Sequence, residues 1–316
     1  MQNISRTDAV PTNKTAVALG VFDGVHRGHQ AVINSAIKMK DEGLPPAVFT
    51  FSTRTVTTKG NGQLDSILSD ELKLDMFERM GVEYVYSPDF SKVRGMTAEC
   101  FIKSVLVDKL NASVVVCGEN FHFGKGAFAG SHELSEMAEK YSIKTIIVPF
   151  TLFNNSPISS TEIRARIKEG SIDIANFMLG YDFHFRLVVC HGNEIGRTIN
   201  YPTINQRFPV GQVVPRFGVY ASQTKIDDRI YMSVTNIGIK PTIGGEKSPL
   251  AETHIFDFSG NLYDREVTVA LKKFIRPEMK FSGIEELKNS LGKDAEKARE
   301  FLDFKNLKGG FDNEQG

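Results

Sequence analysis

The chain has 316 residues with 38 basic and 38 acidic side chains, 41% hydrophobic and 24% charged, which excludes collagen-like, disordered and disulfide-scaffold proteins and leaves room for two ordinary domains. This balance supplies no global basic field for a nucleic-acid backbone, so nucleic acid is not expected as a partner. No apolar run approaches the roughly twenty residues of a bilayer span, the polar start at Met1–Lys14 has no signal pattern, and Cys100, Cys117 and Cys190 stand among apolar residues as reduced core thiols would, so the expectation is a cytoplasmic protein without a membrane partner.

From Ala16 to Gly180 short β-rich runs alternate with helical periods, the pattern of βα units around a mostly parallel sheet. Strands are predicted at Ala16–Phe22, Ala47–Phe51, Tyr84–Ser87, Ser113–Gly118 and Lys144–Phe150. Helices are predicted at Gln30–Lys40, where Val32, Ile33, Ala36 and Ile37 share a face, and at Thr97–Leu110 behind an N-cap threonine. After Tyr181 the rhythm becomes strand and turn: Phe185–Cys190, Gly218–Lys225, Arg229–Ile237, Glu252–Phe258 and Leu262–Phe274, with Ser259–Asn261 making the last pair a predicted hairpin. Such strands predict a small antiparallel barrel, closed or nearly so, followed by a helix from Ile284 to Asp303. The domain boundary is placed at 182/183.

The segment GVFDGVHRGHQ, Gly20 to Gln30, follows an apolar strand and runs into an amphipathic helix. Its glycines allow a tight turn with free N–H groups pointing outward, an anion site by construction. His26 and His29 are spaced to face one bound phosphate and to donate hydrogen bonds to developing phosphoryl charge. Two histidines in a loop are otherwise merely solvated. In ISSTEIRARI, Ile158 to Ile167, Ser159 or Ser160 with Glu162 reads as an N-cap and Arg164 falls in the first turns. By itself that is only a well-capped helix; beside the first motif it offers a second helix N-terminus and a guanidinium for a nucleotide.

Together with GENFHFG at Gly118–Gly124, these motifs resemble the FMN adenylyltransferase module of bacterial bifunctional riboflavin kinase/FAD synthetases, within the HxGH nucleotidyltransferases. The resemblance implies a Rossmann-like α/β domain in which His26 and His29 stabilise the α-phosphate during AMP transfer. It further implies that Gly20, Phe22, Asp23, Gly28, Ser159, Ser160, Thr161 and Arg164 hold the nucleotide and that Asn120 lies near the flavin. Where the family commonly carries an Asp-Pro-His-Pro-like run, this chain reads FSTRTVTTKG from Phe51 to Gly60.

In the second half, GRTINYPTIN, Gly196 to Asn205, projects the Thr203 and Asn205 oxygens from alternate positions of a short extended piece, a donor pair suited to Mg²⁺ and equally to an ordinary proline turn. Glu252 opens an alternating strand, where a carboxylate is either solvated or a proton acceptor. GRTINYPTIN, FGVY, NIGIKPT, ETHIFDF and IRPEMKF occur in the order seen in riboflavin kinases. That resemblance implies Thr203 and Asn205 as Mg²⁺ ligands, Glu252 as general base, Gly196 beside the nucleotide, and Arg276 in a mobile loop near the flavin. The implied activities are riboflavin to FMN and FMN to FAD, each with ATP as co-substrate; the alternative is a riboflavin kinase whose first domain is weak or inactive. Oligomeric state is left open.

Overall fold

The computed structural model describes residues 1–5, 10–52, 65–192, 201–241 and 247–302. It divides into two compact units, Met1–Ser160 and Thr161–Gly316. Gly196, most of the Phe51–Gly60 run and Thr242–Gly245 lie outside the described residues.

The first unit carries β1 (Gln2–Asn3), β2 (Thr15–Leu19), α1 (Arg27–Lys38), β3 (Pro46–Phe49), α2 (Asp70–Arg79), β4 (Tyr84–Tyr86), α3 (Phe90–Val93), α4 (Ala98–Phe101), β5 (Ala112–Gly118), α5 (Ser131–Glu139), β6 (Lys144–Val148), β7 (Leu152–Phe153) and β8 (Ser156–Pro157). The parallel sheet has the order β1-β4-β3-β2-β5-β6. Unbroken apolar runs such as SVVVC form strands buried on both faces, with Val17, Ala47, Val115 and Cys117 packed against Phe101, Leu106 and Leu134. The chain leaves β2 towards β3 and β4 on one side and returns to β5 and β6 on the other. This reversal makes the carboxyl ends of β2 and β5 the crevice of the sheet.

Element ends differ from the sequence reading for local reasons. β2 stops at Leu19 because Phe22, Gly24 and Val25 take left-handed backbone. α1 begins before Gln30 because His26 caps it. α4 starts behind Thr97 as expected and continues as π-helical turns over Ile102–Lys109. β7 and β8 form an unanticipated hairpin whose Asn154 and Asn155 both have positive φ, the turn geometry that asparagine tolerates.

In the second unit α6 (Ser160–Glu169) and α7 (Ile172–Leu179) precede β9 (His184–Cys190), β10 (Ile204–Arg207), β11 (Gly218–Ile226), β12 (Arg229–Pro241), β13 (Lys247–Ile255), β14 (Glu266–Arg276) and α8 (Ile284–Leu302). The strands close into a six-stranded barrel, β10-β13-β12-β11-β14-β9, antiparallel at each pairing. Irregular register between β11 and β14 helps the strands bend round. The expected hairpin between the last two strands is not formed: β13 pairs with β10 and β12, whereas β14 crosses to β11 and β9. Ser-Gly-Asn is compatible with a tight turn, but only β14 can fill the gap that closes the barrel.

Strand alternation sorts the barrel. Inside, Thr224, Ser233, Ser222, Thr235 and Thr253 form a chain of hydroxyl hydrogen bonds of 2.8–2.9 Å. Outside, Val219, Ala221, Val234 and Phe256 are covered by Ala298 and Leu302 of α8, whose apolar residues recur at helical spacing. The cysteines are all free: Cys117 is buried, with burial pushing its thiol pKa up to about 11, Cys190 is half-buried, and Cys100 is exposed, against the expectation of a core position.

Asn176 of α7 splices this unit together, accepting from the Phe183 backbone N–H at 2.8 Å and donating to the Leu271 carbonyl at 2.9 Å. Asn176→Ala strands a backbone donor beside the barrel and is expected to destabilise this unit by about 2 kcal/mol, read as a lower urea midpoint at unchanged slope.

Candidate functional site

The loop after β2 builds the first site. Its tight path depends on two bare positions: a Cβ on Gly20 would lie 2.8 Å from the Phe22 ring, and one on Gly28 would lie 3.2 Å from His26. His26 caps α1, its Nδ1 accepting from the His29 backbone N–H at 3.4 Å. That acceptor role assigns the neutral ring's proton to Nε2. The two imidazoles stack with centroids 3.5 Å apart and planes 21° from parallel, and Phe22 meets His29 edge-on at 5.3 Å.

Burial lowers the His26 pKa from 6.5 to about 4 and holds His29 well below the usual range, with the charges of His26 and Lys73 acting in the same direction. Both rings are therefore neutral near pH 7. Among the described residues the buried His29 Nδ1 has no hydrogen-bond partner. Asp23 is buried too, its Oδ1 accepting from the Ile67 N–H at 2.9 Å and its carbonyl from the Ser160 hydroxyl at 2.8 Å. Ser160 is thereby tied to the histidine loop, with Ser159 just before the first residue of α6. Thr161 and Arg164 follow in the first turns of α6 and belong to the second unit. Asn120 is exposed just past β5, at the same end of the sheet as the loop after β2.

The barrel builds the second site from register. Asn205 lies opposite Glu252, Glu252 opposite Asn236, Asn236 opposite Val219, and Val219 opposite Arg276. Directly opposed residues share a face, so this row crosses the outside of the barrel. Glu252, Asn236, Val219, Thr203 and Arg276 line a cavity of about 220 Å³, closed by Glu278, Phe281, Leu287, Leu291 and Asp294. A second cavity, also about 220 Å³, is lined by Thr203, Thr253, Phe258, Asn261 and Tyr263. Thr203 borders both.

Arg276 is the last residue of β14 rather than a loop residue, because its guanidinium grips Asp294 of α8 through Nε at 2.9 Å and Nη2 at 2.6 Å and reaches Ser290 at 3.1 Å. Asp294 escaped the sequence reading, although it interrupts the Leu287, Leu291, Ala298, Leu302 stripe at a core-facing position. Phe183 and Phe185 are buried in the core, and Phe281 faces the first cavity. Asn205 is buried, and a Cβ on Gly192 would lie 2.4 Å from its Nδ2, so the missing side chain there makes room for the amide. Among the described residues no three His, Cys, Asp or Glu groups cluster as a metal site, and no helix is long and apolar enough to cross a membrane.

Residues 9–162 match the FAD synthetase family and residues 179–302 the riboflavin kinase family. A bifunctional riboflavin kinase/FMN adenylyltransferase of Bacillus subtilis is 33% identical over 301 residues, 93% of this chain and 94% of that protein. Its Escherichia coli K12 counterpart is 32% identical over 313 residues, 96% of this chain and 97% of that protein. A Streptococcus pneumoniae crystal structure, described as a macrolide-efflux protein, superposes with a TM-score of 0.83 at 30% identity, covering 94% of this chain and 98% of the other.

Because the unfolded chain binds protons on His26 from about pH 6.5 downward and the folded chain does so only near 4, this group stabilises the fold fully above 6.5 and loses its effect as pH falls towards 4. The loss amounts to about 3 kcal/mol. His26→Gln is expected to flatten the acid side of the stability profile over that window, measured by urea unfolding as a function of pH.

Proposed function

The chain belongs to the bifunctional riboflavin kinase/FMN adenylyltransferase family, and we propose that it carries out both reactions: ATP phosphorylates riboflavin to FMN in the barrel unit, and a second ATP adenylylates FMN to FAD, releasing pyrophosphate, in the N-terminal unit. Residues 1–182 are assigned to the second reaction and 183–316 to the first. The observation that carries the reading is Thr203 at the meeting of two cavities, one of which holds Glu252. A phosphate donor and a hydroxyl acceptor need two such neighbouring spaces.

In the barrel, the cavity with Arg276 and Phe281 takes the flavin, and Glu252 accepts the ribityl hydroxyl proton as its oxygen attacks the γ-phosphorus and ADP departs. Thr203 and Asn205 offer neutral hard oxygens, a set that fits Mg²⁺ when the nucleotide itself supplies the anions. When bound, the ion neutralises phosphate charge. The family resemblance alone assigns Gly196, outside the described residues, to the nucleotide. Asn205→Ala is expected to raise the Mg²⁺ concentration for half-maximal kinase activity at least tenfold, by titration at saturating ATP.

In the N-terminal unit, the FMN phosphate attacks the α-phosphorus of ATP and the bond to pyrophosphate breaks. His26 donates its Nε2–H to the charge that develops there, and His29 does likewise from the stacked ring. Gly20, Phe22, Asp23 and Gly28 shape the nucleotide's seat, Ser159 and Ser160 are its further contacts, and Asn120 faces the flavin; Thr161 and Arg164 are assigned to the nucleotide by the family resemblance alone. Free cysteines suit a reducing compartment, and we place both reactions in the cytoplasm.

Chromatography of products from riboflavin, ATP and Mg²⁺ tests the reading. His29→Ala is expected to cut FAD formation by about 10²-fold or more while FMN formation persists, and Glu252→Ala to do the reverse with FMN supplied. Equal loss of both products from either change overturns two independent sites, and wild-type FMN that never becomes FAD leaves the kinase alone.

A further inference from the structure

A lysine is buried against the histidine loop. Lys73 is 1% exposed and lies on the inward stripe of α2 with Leu72 and Phe77. Phe77, one turn further on, packs edge-on against Phe22 at 5.9 Å, and Phe22 packs against His29 at 5.3 Å. The buried face of α2 therefore abuts the segment that carries both imidazoles. Asp23 joins the same cluster by accepting from Ile67, three residues before the start of α2.

The surroundings of Lys73 leave its ammonium group incompletely matched. Its Nζ donates to the Phe51 carbonyl at 2.6 Å, just past β3, and the Asp70 carboxylate stands 3.7 Å away, at ion-pair range but beyond a hydrogen bond. Asp70 is also engaged by the Ser52 hydroxyl. An ammonium has three donors, and among the described residues only the Phe51 carbonyl accepts from this one at hydrogen-bond distance, with Asp70 as an ion-pair partner, so its burial is costly. Burial correspondingly lowers the Lys73 pKa, while Asp70 and Asp23 work to raise it. Two neutral imidazoles, a helix N-terminus and a lysine with donors to spare form a cluster that a multi-oxygen anion would complete.

We propose that Lys73 is a phosphate-binding residue of the N-terminal site, donating to an anionic oxygen beside His26 and His29. This rests on the adenylyltransferase reading of that unit and assigns a ligand contact beyond the resemblance. The phosphate belongs either to ATP or to the FMN acceptor. A purely architectural lysine would only tether Phe51 to α2.

Steady-state FAD formation by the full chain separates these cases, using wild type, Lys73→Met and Lys73→Arg, with adenosine as an inhibitor competing with ATP but lacking phosphates. Lys73→Met is expected to raise the KM of one phosphate-bearing substrate at least tenfold, the loss of about one charge-assisted hydrogen bond, while the adenosine inhibition constant stays within about twofold. Lys73→Arg should recover most of the loss. A rise confined to ATP assigns the contact to the nucleotide, and one confined to FMN assigns it to the acceptor. Unchanged KM values, or an adenosine constant that rises in step, overturn the proposal. If Lys73→Met fails to fold, wild-type protein decides by NMR: the Lys73 ammonium nitrogen should shift on addition of inorganic pyrophosphate or FMN, and a resonance unmoved by saturating amounts of both overturns it. Wild-type enzyme forming no FAD would instead sink the adenylyltransferase reading itself.

Discussion

A polar group taken out of water needs a partner, and this constraint shapes both units. In the first it decides the charge state of the histidine pair. Two imidazolium rings with centroids 3.5 Å apart would repel by about 5 kcal/mol at an effective dielectric near 20, so the observed stack requires that the rings not both be charged. Burial supplies that condition by lowering both pKa values, and the cap bond from the His29 N–H occupies Nδ1 of His26, leaving its proton on the other nitrogen. The donor chemistry thus follows from a helix cap and a desolvated loop.

In the second unit the same constraint pushes the site out of the barrel. Six strands enclose a narrow interior, here filled by hydroxyls that satisfy one another from Thr224 to Thr253. The first cavity forms on the outer face beneath α8. That helix is held by apolar contact at Ala298 and Leu302 and by the Arg276–Asp294 pair, in which a 2% exposed carboxylate is matched by two guanidinium bonds. The pair therefore stabilises α8 and shapes the cavity together.

Patterns governed by local periodicity were legible in the sequence: the alternating βα units, the capped α4, the amphipathic α8 and the strands of the barrel. What escaped depends on distant partners. Ser259–Asn261 carries a good turn signal, yet β14 pairs with β11 and β9 because barrel closure outweighs a local preference. The motif residues Thr203, Glu252 and Arg276 could be named one by one, but their meeting around a single cavity arises from register between strands far apart in the chain. Lys73 gave no signal at all, since a lysine on a short charged helix reads as solvent-facing. Asp294 could have been found, because an aspartate on an apolar stripe implies a buried cation opposite.

The two sites differ in the way their acceptors differ. A phosphate monoester is already ionised near neutral pH, so a group that attacks through it needs no base, only donors that accommodate charge on the phosphorus being attacked. On the proposed assignment the N-terminal cluster offers such donors, two neutral imidazoles at a helix N-terminus together with the buried Lys73 ammonium, while one oxygen of the Asp23 carboxylate accepts from the Ile67 backbone. A hydroxyl must lose its proton as it attacks, and on the proposed assignment that proton goes to Glu252, which lines the barrel cavity with Thr203. On the proposed assignment, a carboxylate in one site and a histidine pair in the other express the chemical distinction between phosphorylating an alcohol and adenylylating a phosphate.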